Sequence, residues 1–148
     1  MDNDLTVEGR FQLMLDGQFF TSEYLISPME EDVKQAAYSS VLTTSNYSYA
    51  LLQVPKSGGR RDEWAATLNY EAPVVSDRNT AAGPGTAARS VHSDSDWRGA
   101  VGYNDNHTVF ETSNVLSNTR FGNTENTNDD MFAPVGNNDA YLIYSGNE

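Results

Sequence analysis

Apolar and polar side chains alternate cleanly near the start of the chain. Leu5, Val7, Phe11, Leu13 and Leu15 fall on odd positions, with Thr6, Glu8, Arg10 and Gln12 between them. A period of two over this length predicts a half-buried strand, with Gly9 as a bulge or a point of close approach. Asp16-Gly17 tolerates the positive φ of a two-residue turn, and Gln18-Phe19-Phe20 can return as the partner strand. The expectation is a β-hairpin.

One helix is signalled, near 28–40. Ser27 suits the N-cap, Pro28 the first helical position, and Glu30 completes a capping box three residues on. Glu30, Glu31 and Asp32 place negative charge in the first turn, where the helix dipole favours it. Met29, Val33, Ala36 or Ala37, and Val41 supply the apolar stripe.

Strand signals then return. Tyr47, Tyr49 and Leu51 alternate with Ser48, Ala50 and Leu52 up to Pro55. After a loop over 56–62, the run Trp64, Ala66, Leu68 and Tyr70 predicts the second arm of a hairpin. A long polar loop is expected near 76–96, where Ala81 to Ala88 is too poor in large side chains for a core element. Trp97, Gly99, Val101 and Tyr103 alternate again, turn at Asn104-Asp105-Asn106, and continue into Thr108-Val109-Phe110. The Asn/Thr-rich stretch near 113–130 reads as a second long polar loop, and Ala140 to Tyr144 as a short last strand. About eight short strands and one short helix predict an all-β domain over 1–148, a β-sandwich or single jelly roll.

Composition narrows the function. The 148 residues carry 21 acids against 9 bases, a net charge of −12, and only Lys34 and Lys56 are lysines. That balance argues against nucleic acid as a partner, because such affinity rests on Lys and Arg neutralising phosphates. The absence of cysteine excludes disulfides, thiolate metal sites and a cysteine nucleophile. No apolar run approaches the roughly 18–20 residues of a membrane span. Met1-Asp2-Asn3-Asp4 lacks the basic region and apolar stretch of a signal peptide. The 2 Trp, 8 Tyr and 6 Phe, spread along a chain of this length, suffice for one core.

The best metal candidate is the segment His92-Ser93-Asp94-Ser95-Asp96, with Asp105 and His107 across the predicted hairpin. Asp94, Asp96 and Asp105 are the weak ligand set, since carboxylates two apart in a loop can reach one hard cation. The glycine and glutamate of an EF-hand loop are missing, and a solvated acidic loop explains the same residues. Glu71 and Glu111 sit near strands and could form an acid/base pair only if they converged in a cleft. Ser57 before Gly58-Gly59 lacks the strand-to-helix setting of a nucleophile elbow. Gly83-Pro84-Gly85 lacks the ending of a phosphate loop, and Arg60-Arg61 is followed at once by Asp62-Glu63. Asn46-Tyr47-Ser48 and Asn106-His107-Thr108 match the N-glycosylation pattern. No catalytic signature and no cofactor are expected, so the reading is non-enzymatic.

Acid excess with so little lysine suggests a habitat. A charge of −12 on a small domain repels itself in dilute buffer, whereas molar salt cuts the Debye length to about 3 Å. Low lysine with abundant Asp, Asn and Thr resembles proteins of halophilic archaea and their viruses. Small size, β pattern, long polar loops and the lack of a chemical motif resemble the minor capsid or penton proteins of icosahedral, internal-membrane viruses of those hosts. The resemblance implies an upright jelly roll in a homo-oligomer, possibly a pentamer, that meets other coat proteins in the virion. A head-decoration or turret protein of a tailed halophilic virus is a close variant. The competing class is a lectin-like module binding carbohydrate or calcium through loop acids and exposed Trp64 or Trp97, although both tryptophans share a face with apolar neighbours.

Overall fold

The computed structural model describes residues 5–36, 41–55, 59–81, 86–121, 124–134, 139 and 141–146. It is mostly β, with two antiparallel sheets and one α-helix. Helix α1 spans Val7–Asp16. The strands are β1 (Tyr49–Leu52), β2 (Pro73–Asp77), β3 (Gly99–Tyr103), β4 (Thr108–Glu111), β5 (Val115–Phe121), β6 (Thr124–Asp130) and β7 (Leu142–Ile143). The five-stranded sheet runs β4-β3-β2-β1-β7, so β1 to β4 form a meander and β7 returns beside β1. β5 and β6 make a separate hairpin.

Both faces of the five-stranded sheet are covered at β1, which explains the unbroken apolar run Ala50-Leu51-Leu52. Ala50, Leu52, Val101 and Leu142 pack with Trp97, Leu116, Phe121 and Met131 on the hairpin side. Leu51 and Ile143 face the other way, against Val7 and Phe11 of α1 and the buried Tyr47. The β3–β4 turn follows the sequence closely. Asn106 N donates to Tyr103 O at 3.0 Å and Tyr103 N to His107 O at 3.0 Å, with Asn106 at φ 69°. Asparagine tolerates that left-handed conformation better than other residues with a Cβ.

Several expectations are corrected. The predicted N-terminal hairpin is α1: Thr6 is the N-cap, its hydroxyl accepting from Gly9 N at 3.0 Å. Val7, Phe11 and Leu15 satisfy helical spacing as well as alternation, Met14 joins them only on a helix, and the helix turns Leu13 out to solvent. The helix expected near 28–40 is absent from residues 28–36, and 37–40 lie outside the described residues. Ser27 does make a single turn, accepting at its backbone O from Glu30 N at 3.0 Å. Beyond it, long-range bonds win: Gln35 N donates to Ser45 O at 2.8 Å, and Asn46 Nδ2 to Gln35 O at 2.8 Å.

The alternation at 64–70 is not a strand. Gly59–Trp64 is a 3₁₀ helix, and Leu68 turns the chain at φ 59°, so β1 takes β2 as its partner instead. The polar loop expected near 113–130 is instead the β5–β6 hairpin, and the loop expected near 76–96 begins only after β2. The hairpin escapes an apolar-pattern reading because one face is solvated and the other buries Thr119 and Asp129 beside Leu116 and Phe121. Seven strands are present among the described residues, against about eight expected.

Candidate functional site

The acids singled out as possible metal ligands are held apart. Asp94 and Asp96 precede β3, and Asp105 follows its far end. Asp96 is engaged by Arg98, whose Nε and Nη2 donate to Oδ2 at 3.0 and 2.9 Å, and by the Ser93 and Ser95 hydroxyls. The Arg98 bonds hold Asp96 below the usual aspartate range. Asp94 is exposed. Asp105 pairs with His107, accepting from its backbone N at 3.1 Å and bonding its Nδ1, which likewise holds it low. Among the described residues, no three His, Cys, Asp or Glu side chains could hold a metal ion together.

The other sequence candidates are also built into the fold. Glu71 accepts from Arg120 Nε at 2.9 Å, and Glu111 from the Tyr103 hydroxyl at 3.2 Å. Asn46 is buried with both ends of its amide bonded, to Thr43 N and Gln35 O, whereas Asn106 is exposed. Trp97 lies in the core and offers no platform to a sugar. Trp64 is 39% exposed, and the Arg10 guanidinium stacks over it at 4.4 Å. Arg61 Nη1 reaches Pro55 O at 3.5 Å; Ser57 and Gly83 to Gly85 lie outside the described residues.

What the fold does assemble is a pair of histidine–carboxylate contacts on the two faces of β4. On the α1 side, His92 Nε2 meets Asp77 Oδ2 at 3.1 Å, and the imidazole stands edge-on to Phe110 at 5.2 Å. Asp77 is buried and also accepts from Ala100 N at 2.8 Å. It fits only because Gly99 lacks a side chain, since a Cβ there would sit 2.8 Å from Asp77 Oδ2. On the hairpin side, His107 stacks flat on Tyr103 with centroids 4.4 Å apart. Burial, with the Glu111 charge adding to it, raises the Tyr103 phenol well above its ordinary value. Between these clusters, β4 is the outermost strand, with Val109 39% and Phe110 56% exposed.

No family model, curated protein or solved structure matches this chain. The site must therefore be read from its own chemistry.

An outer strand whose apolar side chains stand in water on both faces is suited to pairing with another chain. The opposite edge is closed, because β7 has two residues and Leu142 N donates to Met131 O at 2.7 Å. Sequence reasoning saw Val109 and Phe110 as strand residues but could not see that, among the described residues, no strand pairs with the outer side of β4. It also missed Asp77, placed in a loop, although the glycine at 99 signals a close approach. Glu63 was missed as well. It is buried and accepts from Thr67 Oγ1, Asn69 Nδ2 and Asn104 Nδ2, tying the 3₁₀ helix to the β3–β4 turn.

Proposed function

We propose that this chain is a structural subunit of a virus particle, a capsid vertex (penton) or minor capsid component, that acts by assembling in high salt. The observation that carries the reading is the open β4 edge with Val109 and Phe110 exposed. Proteins that remain monomeric blunt such edges with lysine, proline, bulges or a covering element. Phe19, Tyr24, Val33 and Leu68 are at least 70% exposed as well. A net charge of −12 with two lysines supports the high-salt setting. Among the described residues, no helix is long and apolar enough to cross a membrane.

The single jelly roll, a five-fold ring, contact with other coat proteins and residence in the virion are the finer parts of this proposal. A head-decoration or turret protein of a tailed halophilic virus draws on the same properties, and the coat protein it binds would distinguish the two. Light scattering on the purified chain in molar salt tests the reading. Discrete oligomers, or co-assembly with coat proteins, support it. A monomer that binds glycan only when calcium is present would replace it with the lectin-like reading.

A further inference from the structure

We propose that two copies of this chain join edge to edge through β4, as an antiparallel pair with Val109 on the two-fold axis. The inference rests on the assembly reading and names its partner, a second copy, and its register.

The register follows from the ladder. Tyr103 N donates to His107 O, and β3 pairs with β4 as Val101–Val109 and Gly99–Glu111. Bonded pairs alternate along an antiparallel ladder, so His107, Val109 and Glu111 turn their backbone groups inward to β3. Thr108 and Phe110 therefore turn theirs outward, and no described residue pairs with that side of β4. A second strand can bond there only if outward residues oppose outward residues. For a self-pairing strand this leaves two registers that use the length of β4, centred on Val109 or on Phe110.

Centring on Val109 makes the edge self-complementary. Thr108 of each copy then exchanges N–H···O bonds with Phe110 of the other. Val109 meets its own equivalent in a non-bonded pair, where side chains approach most closely. Glu111 falls opposite the partner copy's His107, so the carboxylate faces an imidazole at both ends. Centring on Phe110 would instead set Glu111 against Val109 twice, leaving the carboxylate opposite an apolar side chain. In so acidic a protein the first register is preferred, because it sets each Glu111 carboxylate opposite an imidazole, which can donate a hydrogen bond, rather than opposite an apolar side chain. It also joins the two five-stranded sheets into one continuous sheet. The contact closes at two copies, so a ring of higher order needs a different surface.

The chain has no cysteine, which makes the test clean. Val109→Cys places two thiols on the axis, where Cα atoms of a non-bonded pair lie about 4.5 Å apart, within disulfide range. Oxidised in molar salt, full-length V109C should become a covalent dimer, and Phe110→Cys should cross-link at least about tenfold more slowly. Phe110→Lys puts a charge on the edge without touching the β3–β4 bonds and should reduce self-association by a similar factor. Its circular dichroism should match that of the parent. Faster cross-linking of F110C, or a dimer undisturbed by F110K, overturns the register. If the parent forms larger oligomers yet V109C fails to cross-link, the β4 contact fails while the assembly reading stands. A parent that stays monomeric at every salt concentration overturns both.

Discussion

Arg78 closes on Glu30 across 48 residues of chain, Nε donating to Oε2 at 3.0 Å and Nη2 to Oε1 at 2.7 Å. The two side chains are 11% and 2% exposed. This two-pronged pair anchors the segment after Ser27 to the end of β2, where sequence patterning expects a helix. Asp32 adds a second acceptor for Arg78, and the Tyr144 ring lies 5.2 Å beneath the guanidinium. Replacing Arg78 by Met leaves Glu30 buried with only Lys34 at 4.0 Å as a counter-charge. The expected loss is about 3 kcal/mol or more, read from urea unfolding in molar salt. The double variant E30M/R78M should recover much of it, because no unpaired charge remains.

Acid should unfold the protein partly through the same residue. Burial is the largest influence and raises the Glu30 pKa, but its favourable neighbours together, Arg78 foremost and Lys34 adding to it, hold the carboxyl below its ordinary value. Asp96 and Asp105 are held low too, by Arg98 and by His107. A carboxylate depressed in the folded state contributes stability above its unfolded pKa, about 4, and loses it as pH falls through the folded value. Urea midpoints should therefore drop below about pH 4. Glu30→Gln should flatten that slope, and an unchanged slope would remove Glu30 from the account.

Alkali acts through the tyrosines. Burial pushes Tyr144 up to about 12, and raises Tyr47 and Tyr103 further, with Glu8 and Glu111 adding to the effect. A group raised in the folded state stabilises fully below its unfolded pKa, about 10, and that stability is lost as pH rises through the folded value. The tyrosinate absorbance of the native protein should rise in two stages. Tyr47, Tyr103 and Tyr144 should ionise only in the later stage, together with loss of the far-ultraviolet signal.

Gly99 is the hinge of the Asp77–His92 contact. A methyl group there would lie 2.8 Å from Asp77 Oδ2 and 3.0 Å from Trp97 Cζ2. Gly99→Ala should cost about 1–3 kcal/mol, because both neighbours are buried and neither can retreat without repacking. Thermal melts of G99A and the parent, run in parallel, check this.

Salt tests the proposed habitat. Lowering it from molar to ~0.1 M lengthens the Debye length from about 3 to about 10 Å and restores repulsion among the surface acids. The thermal midpoint should fall by at least about 5 °C, equivalent to roughly 2 kcal/mol at this size. Undiminished stability in dilute buffer would remove the support that composition lends to a halophilic source.

Where local pattern and tertiary demand coincide, the sequence was legible. The turn at Asn104-Asp105-Asn106, the strands either side of it, β1 and the short β7 all follow from alternation and turn chemistry. The β5–β6 hairpin was illegible because Asn126 and Thr127 satisfy a solvated ladder without apolar alternation. Of the candidate site, both histidines stand out in the sequence, but no local pattern pairs His92 with Asp77 or His107 with Tyr103. Strand order alone brings His92 beside Asp77, and a flat stack such as Tyr103–His107 has no spacing signature.

Sequence by itself determined the β-rich character, the single well-marked turn and the acidic surface, because these depend on neighbours a few residues apart and on summed charge. Tertiary structure decided what those local rules leave degenerate. Val7 to Leu15 reads as strand or as helix, and packing of Val7 and Phe11 against Tyr47 and Leu51 selects the helix. Ser27 to Glu30 could start a helix, but Glu30 gains more from Arg78, 48 residues away. The exposure of β4 is of the same kind: whether a strand lies at an edge depends on the order of the whole sheet, which no window of sequence contains.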